Sequence, residues 1–271
     1  MIRLALRVRR ADSEVVLAQL LELAPNGVEE TEDGDVVEYA VYGAPGELPD
    51  LPDLRAAAGA ALVEVRTETI PDDWVDGWKQ FHQPVLVAER LYVRPPWEPA
   101  TSKAGVHDLV IDPGQAFGTG SHHSTRLCLE LLCELEPGGP LADLGCGSGV
   151  LGIAAATLGW APVTAWDHER PAVAAAQENA RANGVKLAVT RWDLRSDPIP
   201  EAPTLVANLL RPLLLTLAER MPAPPAALVA GGLLRAEADE VAAAFARRQG
   251  LRERERREAG DWAALRLERA Y

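Results

Sequence analysis

The stretch of sequence that decides the fold is L-A-D-L-G-C-G-S-G, residues 141–149. Its first four residues have the pattern of a strand, its three glycines alternate with other residues, and an apolar helical pattern begins directly after the last glycine. A glycine-rich turn between a strand and a helix offers backbone N–H groups and a helix N-terminus to a ligand at the edge of an open α/β sheet. We therefore predict a ligand site at this turn.

Strand and helix patterns alternate downstream of the turn. Strands are predicted over 141–144, 163–166, 187–190, 204–207 and 227–230, and helices over 150–158, 171–183, a segment ending near 221, and 236–248. Parallel strands need crossover helices of this length, which places helices on both faces of the sheet. The last two strands, 251–256 and 262–267, are joined by a short turn at Gly260 and must pair antiparallel. The pattern predicts an α/β domain with a seven-stranded, mainly parallel, Rossmann-like sheet and one antiparallel strand.

A smaller domain is predicted upstream. Residues 1–67 show the order βαββαβ, with a strong hairpin signal at Asp33-Gly34. This order is that of an α+β, ferredoxin-like sandwich. Residues 68–100 contain five prolines together with Trp74, Trp78 and Trp97, and we interpret them as a connector or hinge whose tryptophans pack. The predicted domains are therefore 1–67, the connector 68–100, and 101–271.

Composition narrows the class of protein. The chain has 271 residues, 48% of them hydrophobic, and a formal net charge of −13, which disfavours a nucleic-acid partner and suits a cationic one. No apolar run reaches the roughly 20 residues of a membrane helix, and four arginines in the first ten residues are unlike a signal peptide. The three cysteines form no C-x-x-C pair, so we expect neither a disulfide framework nor a metal site. We expect a soluble cytoplasmic protein without a membrane partner.

Two glycine fingerprints overlap in the turn. Gly145, Gly147 and Gly149 form G-x-G-x-G directly after the strand, whereas Gly147, Gly149 and Gly152 form the dinucleotide fingerprint G-x-G-x-x-G. In the dinucleotide frame, Asp143 would place an acid near a pyrophosphate, which is electrostatically unfavourable. The other frame suits a ligand with an ammonium and a sulfonium group.

Two further polar residues end neighbouring strands. Asp167 ends the second strand, where its carboxylate can accept both hydroxyls of a ribose in either frame. Asn208 ends the fourth strand and opens onto the same crevice, where a hydride-transfer enzyme has no particular need for an amide. Together, Asp143, Asp167 and Asn208 favour a methyl donor over a dinucleotide as the ligand.

These residues, together with the upstream block I-D-P-G-Q-A-F-G-T-G-S-H-H-S-T at 111–125, resemble the ribosomal protein L11 methyltransferase (PrmA) family. The resemblance covers essentially the whole chain and implies a class I fold that uses S-adenosylmethionine as methyl donor. It implies donor contacts at Thr125, Gly145, Asp167 and Asn208. One departure is that the family's Thr-Thr pair is Ser124-Thr125 here, which keeps a hydroxyl.

The upstream block supplies further candidates. Three glycines within seven residues indicate close backbone approach to a ligand or movement over it. The candidate donor-binding residues on the block and the glycine turn are Phe117, Gly118, Thr119 and Gly147.

The resemblance also implies the acceptor: ribosomal protein L11, trimethylated at its N-terminal α-amine and at lysine side chains, with the sandwich recognising it. We expect a monomeric protein N-methyltransferase, with Asn208 as the catalytic residue that orients the amine and Thr119 or His122 beside the acceptor channel. Three alternative functions remain. The chain could be a methyltransferase that acts on another protein or on a small amine, a Rossmann oxidoreductase, which Asp143 disfavours, or a catalytically inactive module that binds the donor.

Overall fold

The computed structural model describes residues 2–13, 16–17, 20, 29–43, 58–69, 83–112 and 122–269. The chain divides into two compact units, Met1–Phe81 and His82–Tyr271. No helix among the described residues combines the length and apolar character needed to cross a membrane.

The first unit contains a four-stranded antiparallel sheet. Its strands are β1 (Ile2–Arg9), β2 (Glu29–Asp33), β3 (Val36–Gly43) and β4 (Leu62–Thr69), in the spatial order β2-β3-β1-β4. Leu4, Leu6 and Val8 alternate along β1 and bury one face of the sheet against Val16 and Leu20, which are helical. This sheet confirms the predicted N-terminal α+β domain. Most of its two predicted helices lies outside the described residues.

The second unit begins with a small sheet that the sequence analysis does not predict. Its strands are β5 (Val85–Val87), β6 (Leu91–Arg94) and β7 (His107–Val110); β5 pairs antiparallel and β7 parallel with β6. The Arg94 guanidinium binds the Asp108 carboxylate through Nε and Nη2, which clamps β6 to β7. Two segments of the predicted connector, Val85–Val87 and Leu91–Arg94, are therefore strands of this unit.

A seven-stranded sheet forms the rest of the second unit. Its strands are β8 (Leu141–Leu144), β9 (Val163–Asp167), β10 (Leu187–Arg191), β11 (Thr204–Asn208), β12 (Ala227–Leu234), β13 (Leu251–Ala259) and β14 (Trp262–Arg269). The spatial order is β10-β9-β8-β11-β12-β14-β13. β14 runs antiparallel to β12 and β13, and the other four adjacent pairs are parallel. The predicted α/β fold class, with seven strands and one reversed strand, is confirmed.

Five α-helices in the described part of this unit cover the sheet. They are α1 (His123–Glu134), α2 (Val150–Leu158), α3 (Arg170–Ala182), α4 (Arg211–Arg220) and α5 (Ala238–Gln249). Side chains alternate along the central strand β11, so that Val206 packs in the core on one face while Leu205 and Ala207 pack in the core on the other. The sheet is thus a central layer between two helical layers.

The strand order reverses direction between β8 and β11. Chain order runs outward from β8 to β9 and β10 on one side and from β11 to β12 on the other. Ligands of open α/β sheets bind outside the carboxyl ends of the strands at such a switch point. The ends of β8, β9 and β11 carry the predicted glycine turn, Asp167 and Asn208.

Candidate active site

The glycine turn between β8 and α2 needs glycine for its backbone conformation. Gly145, Gly147 and Gly149 have φ values of 72°, 52° and 81°, in the left-handed region that side chains disfavour. A Cβ added to Gly149 would lie 2.9 Å from the Cβ of Ala176 on α3. The Gly145 N–H donates to the carbonyl oxygen of Trp166 at 2.7 Å, which ties the turn to β9.

Three side chains hold the turn by hydrogen bonds to its backbone. Asp143 accepts from Gly152 N–H at 2.9 Å, and Asp167 accepts from Gly147 N–H through Oδ2 at 2.9 Å. Asn179 on α3 donates to the Ser148 carbonyl oxygen at 2.9 Å. The shape of the turn is therefore set by β8, β9 and α3 together.

Asp143 lies behind the turn and is fully buried. Burial raises the pKa of Asp143 to about 7, against the opposing effect of its bond from Gly152 N–H and with a smaller contribution from the charge of Asp167. Its Oδ1 atom has no hydrogen-bond partner among the described residues. A pyrophosphate over this turn would add negative charge beside two acids, whereas a cationic ligand would stabilise their ionised forms.

Asp167 ends β9 next to the turn. Its Oδ1 accepts from Glu169 N–H at 3.0 Å and its Oδ2 from Gly147 N–H, and the residue is 8% exposed. An ionised carboxylate has about four lone-pair sites, so each oxygen retains the capacity to accept another hydrogen bond. Gly147 and Asp167, both predicted as donor-binding residues, are therefore in direct contact.

Asn208 ends β11 on the other side of the crevice. Its Nδ2 lies 3.2 Å from Thr125 Oγ1 and 3.5 Å from Ser124 Oγ, and both hydroxyls belong to the buried first turn of α1. Its Oδ1 is buried and has no hydrogen-bond partner among the described residues. This oxygen lies beside Gly231, where an added Cβ would be 3.2 Å from it. The structure thus brings Thr125 and Asn208 together.

His122 caps α1 at the entrance to this region. Its Nδ1 accepts from Ser124 N–H at 3.3 Å and lies 2.8 Å from Ser124 Oγ, and its ring packs edge-on against Trp262 at 4.6 Å between centroids. Burial, together with the charge of the neighbouring His123, lowers the pKa of His122. The predicted residues Phe117, Gly118 and Thr119 lie outside the described residues.

Sequence reasoning missed two asparagines that support the site. Asn179 accepts from Asp112 N–H at 2.9 Å in addition to its bond to Ser148, and Asn183 makes bonds in both directions with the backbone of Val110. Both therefore bind the chain that enters the upstream block. The signal available in the sequence was their spacing of four residues on a predicted helix, which places them on one face.

Comparisons with known proteins agree with this architecture. The family model described as "Ribosomal protein L11 methyltransferase (PrmA)" matches residues 51–270. A ribosomal protein L11 methyltransferase of Pelotomaculum thermopropionicum is 40% identical over 214 residues, which are 76% of this chain and 68% of that protein. One of Caldanaerobacter subterraneus is 39% identical over 161 residues, 59% of this chain and 52% of the relative. The aligned part thus spans from about half to about two thirds of these relatives.

A solved structure gives the same result at the level of the fold. The crystal structure of a ribosomal protein L11 methylase from Lactobacillus delbrueckii subsp. bulgaricus superposes with a TM-score of 0.62 at 27% identity. The superposition covers 70% of this chain and all of that one. The match of the family model to most of the chain, the relatives and this shared fold together show that the chain belongs to the ribosomal protein L11 methyltransferase (PrmA) family.

Proposed function

We propose that the chain transfers methyl groups from S-adenosylmethionine to amino groups of ribosomal protein L11, namely its N-terminal α-amine and lysine ε-amines. The observation that carries the proposal is the place of Asn208 at the strand-order switch point, where it ends β11 with its amide nitrogen 3.2 Å from Thr125 Oγ1. Family membership supports the same reaction and the same acceptor.

The described residues suit the donor. Asp167 retains lone pairs for the two ribose hydroxyls. Only glycine fits at position 145, because an added Cβ would clash with the Leu209 side chain. Thr125 lies against Asn208 on the far side of the turn. The bound donor supplies a methyl group on a sulfonium, which is already an activated leaving group.

Positioning is the main task left to the protein. The lone pair of the amine forms the new N–C bond as the C–S bond breaks, and the sulfur leaves as a neutral thioether. A primary or secondary amine then loses a proton to solvent, so no general base is required. The attacking amine must be neutral, whereas a lysine with a pKa near 10.4 and an α-amine with a pKa near 8 are mostly protonated at neutral pH. The amide oxygen of Asn208 accepts an N–H of a neutral primary or secondary amine and directs its lone pair at the methyl group.

The acceptor is inferred from the family and from charge. The net charge of −13 favours encounter with a basic protein, and the exposed acids Glu29 and Glu30 on β2 lie in the N-terminal sandwich. We assign recognition of L11 to the sandwich of residues 1–67, hinge motion to the part of the connector 68–100 that precedes β5, and catalysis to 101–271. On this account the enzyme acts as a cytoplasmic monomer that contacts neither nucleic acid nor membrane.

Two measurements test the donor site. Calorimetry with S-adenosylmethionine and with NAD at equal concentration is expected to show binding of the first alone. Replacement of Asn208 by alanine is expected to lower turnover at saturating substrates far more than it weakens donor binding, because only the transition state needs the oriented amine. Unaltered turnover of this variant, or binding of NAD in preference to S-adenosylmethionine, would contradict the proposal.

A further inference from the structure

We propose that Leu210, Leu234 and Asp261 form a surface on the catalytic unit that binds the amine-bearing segment of the acceptor. We call this surface the acceptor rim. The two leucines contact the aliphatic part of the segment, and the carboxylate attracts its positive charges. The inference rests on the proposed function, and it adds a second contact area to the recognition assigned to the N-terminal sandwich.

The two leucines differ from other large hydrophobic side chains in their exposure. Among the described residues of the second unit, they are the ones that remain exposed, Leu210 to 64% and Leu234 to 44%. Single exposed leucines are common on protein surfaces, but these two share one place in the fold. Leu210 closely follows the end of β11, and Leu234 is the last residue of β12. Because β11 and β12 are adjacent and parallel, both leucines lie at the edge of the sheet that carries Asn208.

Glu237 ties together the two loops that carry the leucines. Its Oε2 accepts the N–H of Leu234 at 2.9 Å, and its Oε1 lies 3.3 Å from Nε of Arg211, the residue after Leu210. Arg211 also donates to Glu240 through Nη1 at 2.9 Å. The loops after β11 and β12 are therefore fixed to each other, while the side chains of the leucines stay in solvent.

Contacts within the second unit connect the acceptor rim to the site. Leu234 pairs with Trp262 across β12 and β14, and the ring of Trp262 packs against His122 at 4.6 Å between centroids. His122 caps α1, in which Thr125 Oγ1 lies 3.2 Å from Asn208 Nδ2. A continuous series of contacts thus leads from Leu234 to Asn208.

Asp261 supplies the charge of the acceptor rim. It is exposed in the turn between β13 and β14, and its carbonyl oxygen accepts the N–H of Arg235 at 2.8 Å, which places it beside Leu234. Its carboxylate forms no hydrogen bond or ion pair with the described residues, whereas Arg235 pairs with Glu258 at 2.8 Å. The charge that is left without a partner beside this leucine is therefore negative.

The occupant that fits this combination is an extended peptide segment rich in lysine. A lysine side chain has an aliphatic stem that packs on apolar surface and an ammonium group that pairs with a carboxylate. The attacking amine is neutral, so the carboxylate of Asp261 binds other, protonated amines of the same segment. A phosphate backbone does not fit, because the unpaired carboxylate would repel it.

Steady-state kinetics with ribosomal protein L11 test the acceptor rim. Leu210→Ser and Leu234→Ser are each expected to raise the KM for L11 about 5- to 10-fold, while kcat and the calorimetric Kd of the donor change by less than about twofold. Leu210→Met keeps an apolar side chain and should raise KM less than Leu210→Ser. Asp261→Asn should raise KM about 2- to 5-fold at low salt and less at high salt, because salt screens exposed charges.

Glu136→Gln is the matched control for charge. Glu136 is an exposed carboxylate between α1 and β8, at the amino ends of the strands, and its removal should leave KM within about twofold of the unsubstituted value. If the unsubstituted chain methylates L11, the inference is overturned by an unchanged KM in either serine variant. Equal effects of Asp261→Asn and Glu136→Gln would also overturn it, and in both cases the proposed function would stand.

Binding to the acceptor rim can also be measured without methyl transfer. In protein with isotope-labelled leucine methyl groups, titration with the peptide Lys-Leu-Lys is expected to shift the resonances of Leu210 and Leu234, and the shifts should shrink in Asp261→Asn. No shift at these leucines, or a shift with a short single-stranded RNA and none with the peptide, would overturn the inference. Because this readout needs no turnover, failure of the proposed reaction and failure of the acceptor rim are distinguishable.

Discussion

Replacement of Asp167 by alanine is expected to weaken S-adenosylmethionine binding about 100-fold while the chain stays folded. Asp167 Oδ2 accepts from Gly147 N–H and Oδ1 from Glu169 N–H, and each oxygen keeps the capacity to accept one further hydrogen bond, which we propose comes from the donor ribose. The substitution therefore removes the proposed ligand contacts and one of the bonds that shape the glycine turn.

The magnitude follows from the number and kind of hydrogen bonds. A hydrogen bond to a charged group contributes about 1.5–3 kcal/mol, so loss of one such bond to a ribose hydroxyl corresponds to about a 10- to 150-fold larger Kd. Water that replaces the lost carboxylate offsets part of the loss of the two hydrogen bonds to the ribose, whereas release of Gly147 N–H loosens the turn and adds to the loss. We therefore expect the binding free energy of the donor to weaken by about 3 kcal/mol, which is about a 100-fold larger Kd.

Calorimetric titration well below the melting temperature measures this change. Asp239→Ala is the matched control, because it removes the same charge from a side chain that is 88% exposed at the start of α5. We expect its Kd for the donor to stay within about twofold of the unsubstituted value. A folded Asp167→Ala variant that binds the donor as tightly as the control would refute the assignment of Asp167 to the ribose.

Three further predictions concern the backbone and the buried polar groups around the site. Gly232 has a φ of 78° and an added Cβ would lie 2.6 Å from a backbone carbonyl oxygen in the turn after β11. Gly232→Ala should therefore lower the free energy of unfolding in urea by about 2–4 kcal/mol and reduce turnover. The control Gly184→Ala, at a φ of 64° with open space around the added Cβ, should lower it by only about 1 kcal/mol. Equal losses would show that the close approach to the carbonyl oxygen is unimportant. Burial raises the pKa of Asp143 to about 7. From about pH 4 to about pH 7, the folded state therefore binds more protons than the unfolded state. The free energy of unfolding of the unsubstituted chain then decreases as the pH rises through this range. The stability of Asp143→Asn relative to the unsubstituted chain should therefore increase by about 3 kcal/mol between pH 4.5 and pH 8 in urea unfolding. A pH-independent difference would exclude the raised pKa. Asn179→Ala and Asn183→Ala should lower the melting temperature to a similar extent. Only Asn179→Ala removes a hydrogen bond to the glycine turn, so only this variant should weaken donor binding in calorimetry, by about 5- to 10-fold. Equal weakening in both variants would contradict the proposed support of the turn by Asn179.

Much of the large domain could be predicted because its strands are buried and its helices are long enough to show their period. The predicted strand at 204–207 coincides with β11 to within one residue, and the predicted helix at 150–158 coincides with α2. The sheet of β5, β6 and β7 could not be predicted in the same way. Its strands are three or four residues long and are interrupted by turns, so their pattern is too short to separate from a loop.

The site was predictable where it depends on strand ends. Asp167 and Asn208 are the last residues of β9 and β11, and parallel strands bring such ends to one edge of a sheet. The contact between His122 and Trp262 was not predictable, because it joins the start of α1 to the start of β14, far apart in the sequence. The burial of Asp143 behind the turn likewise depends on tertiary packing and not on local pattern.

The most direct test of the proposed methyl transfer is the intact mass of purified ribosomal protein L11 after incubation with this chain and S-adenosylmethionine. We expect L11 to gain mass in steps of one methylene group per methyl transferred, and we expect peptide mapping to place the methyl groups on the α-amine and on lysines. The same incubation with the Asn208→Ala chain should give little or no gain. An unchanged mass of L11 with the unsubstituted, donor-binding chain would show that L11 is not the acceptor.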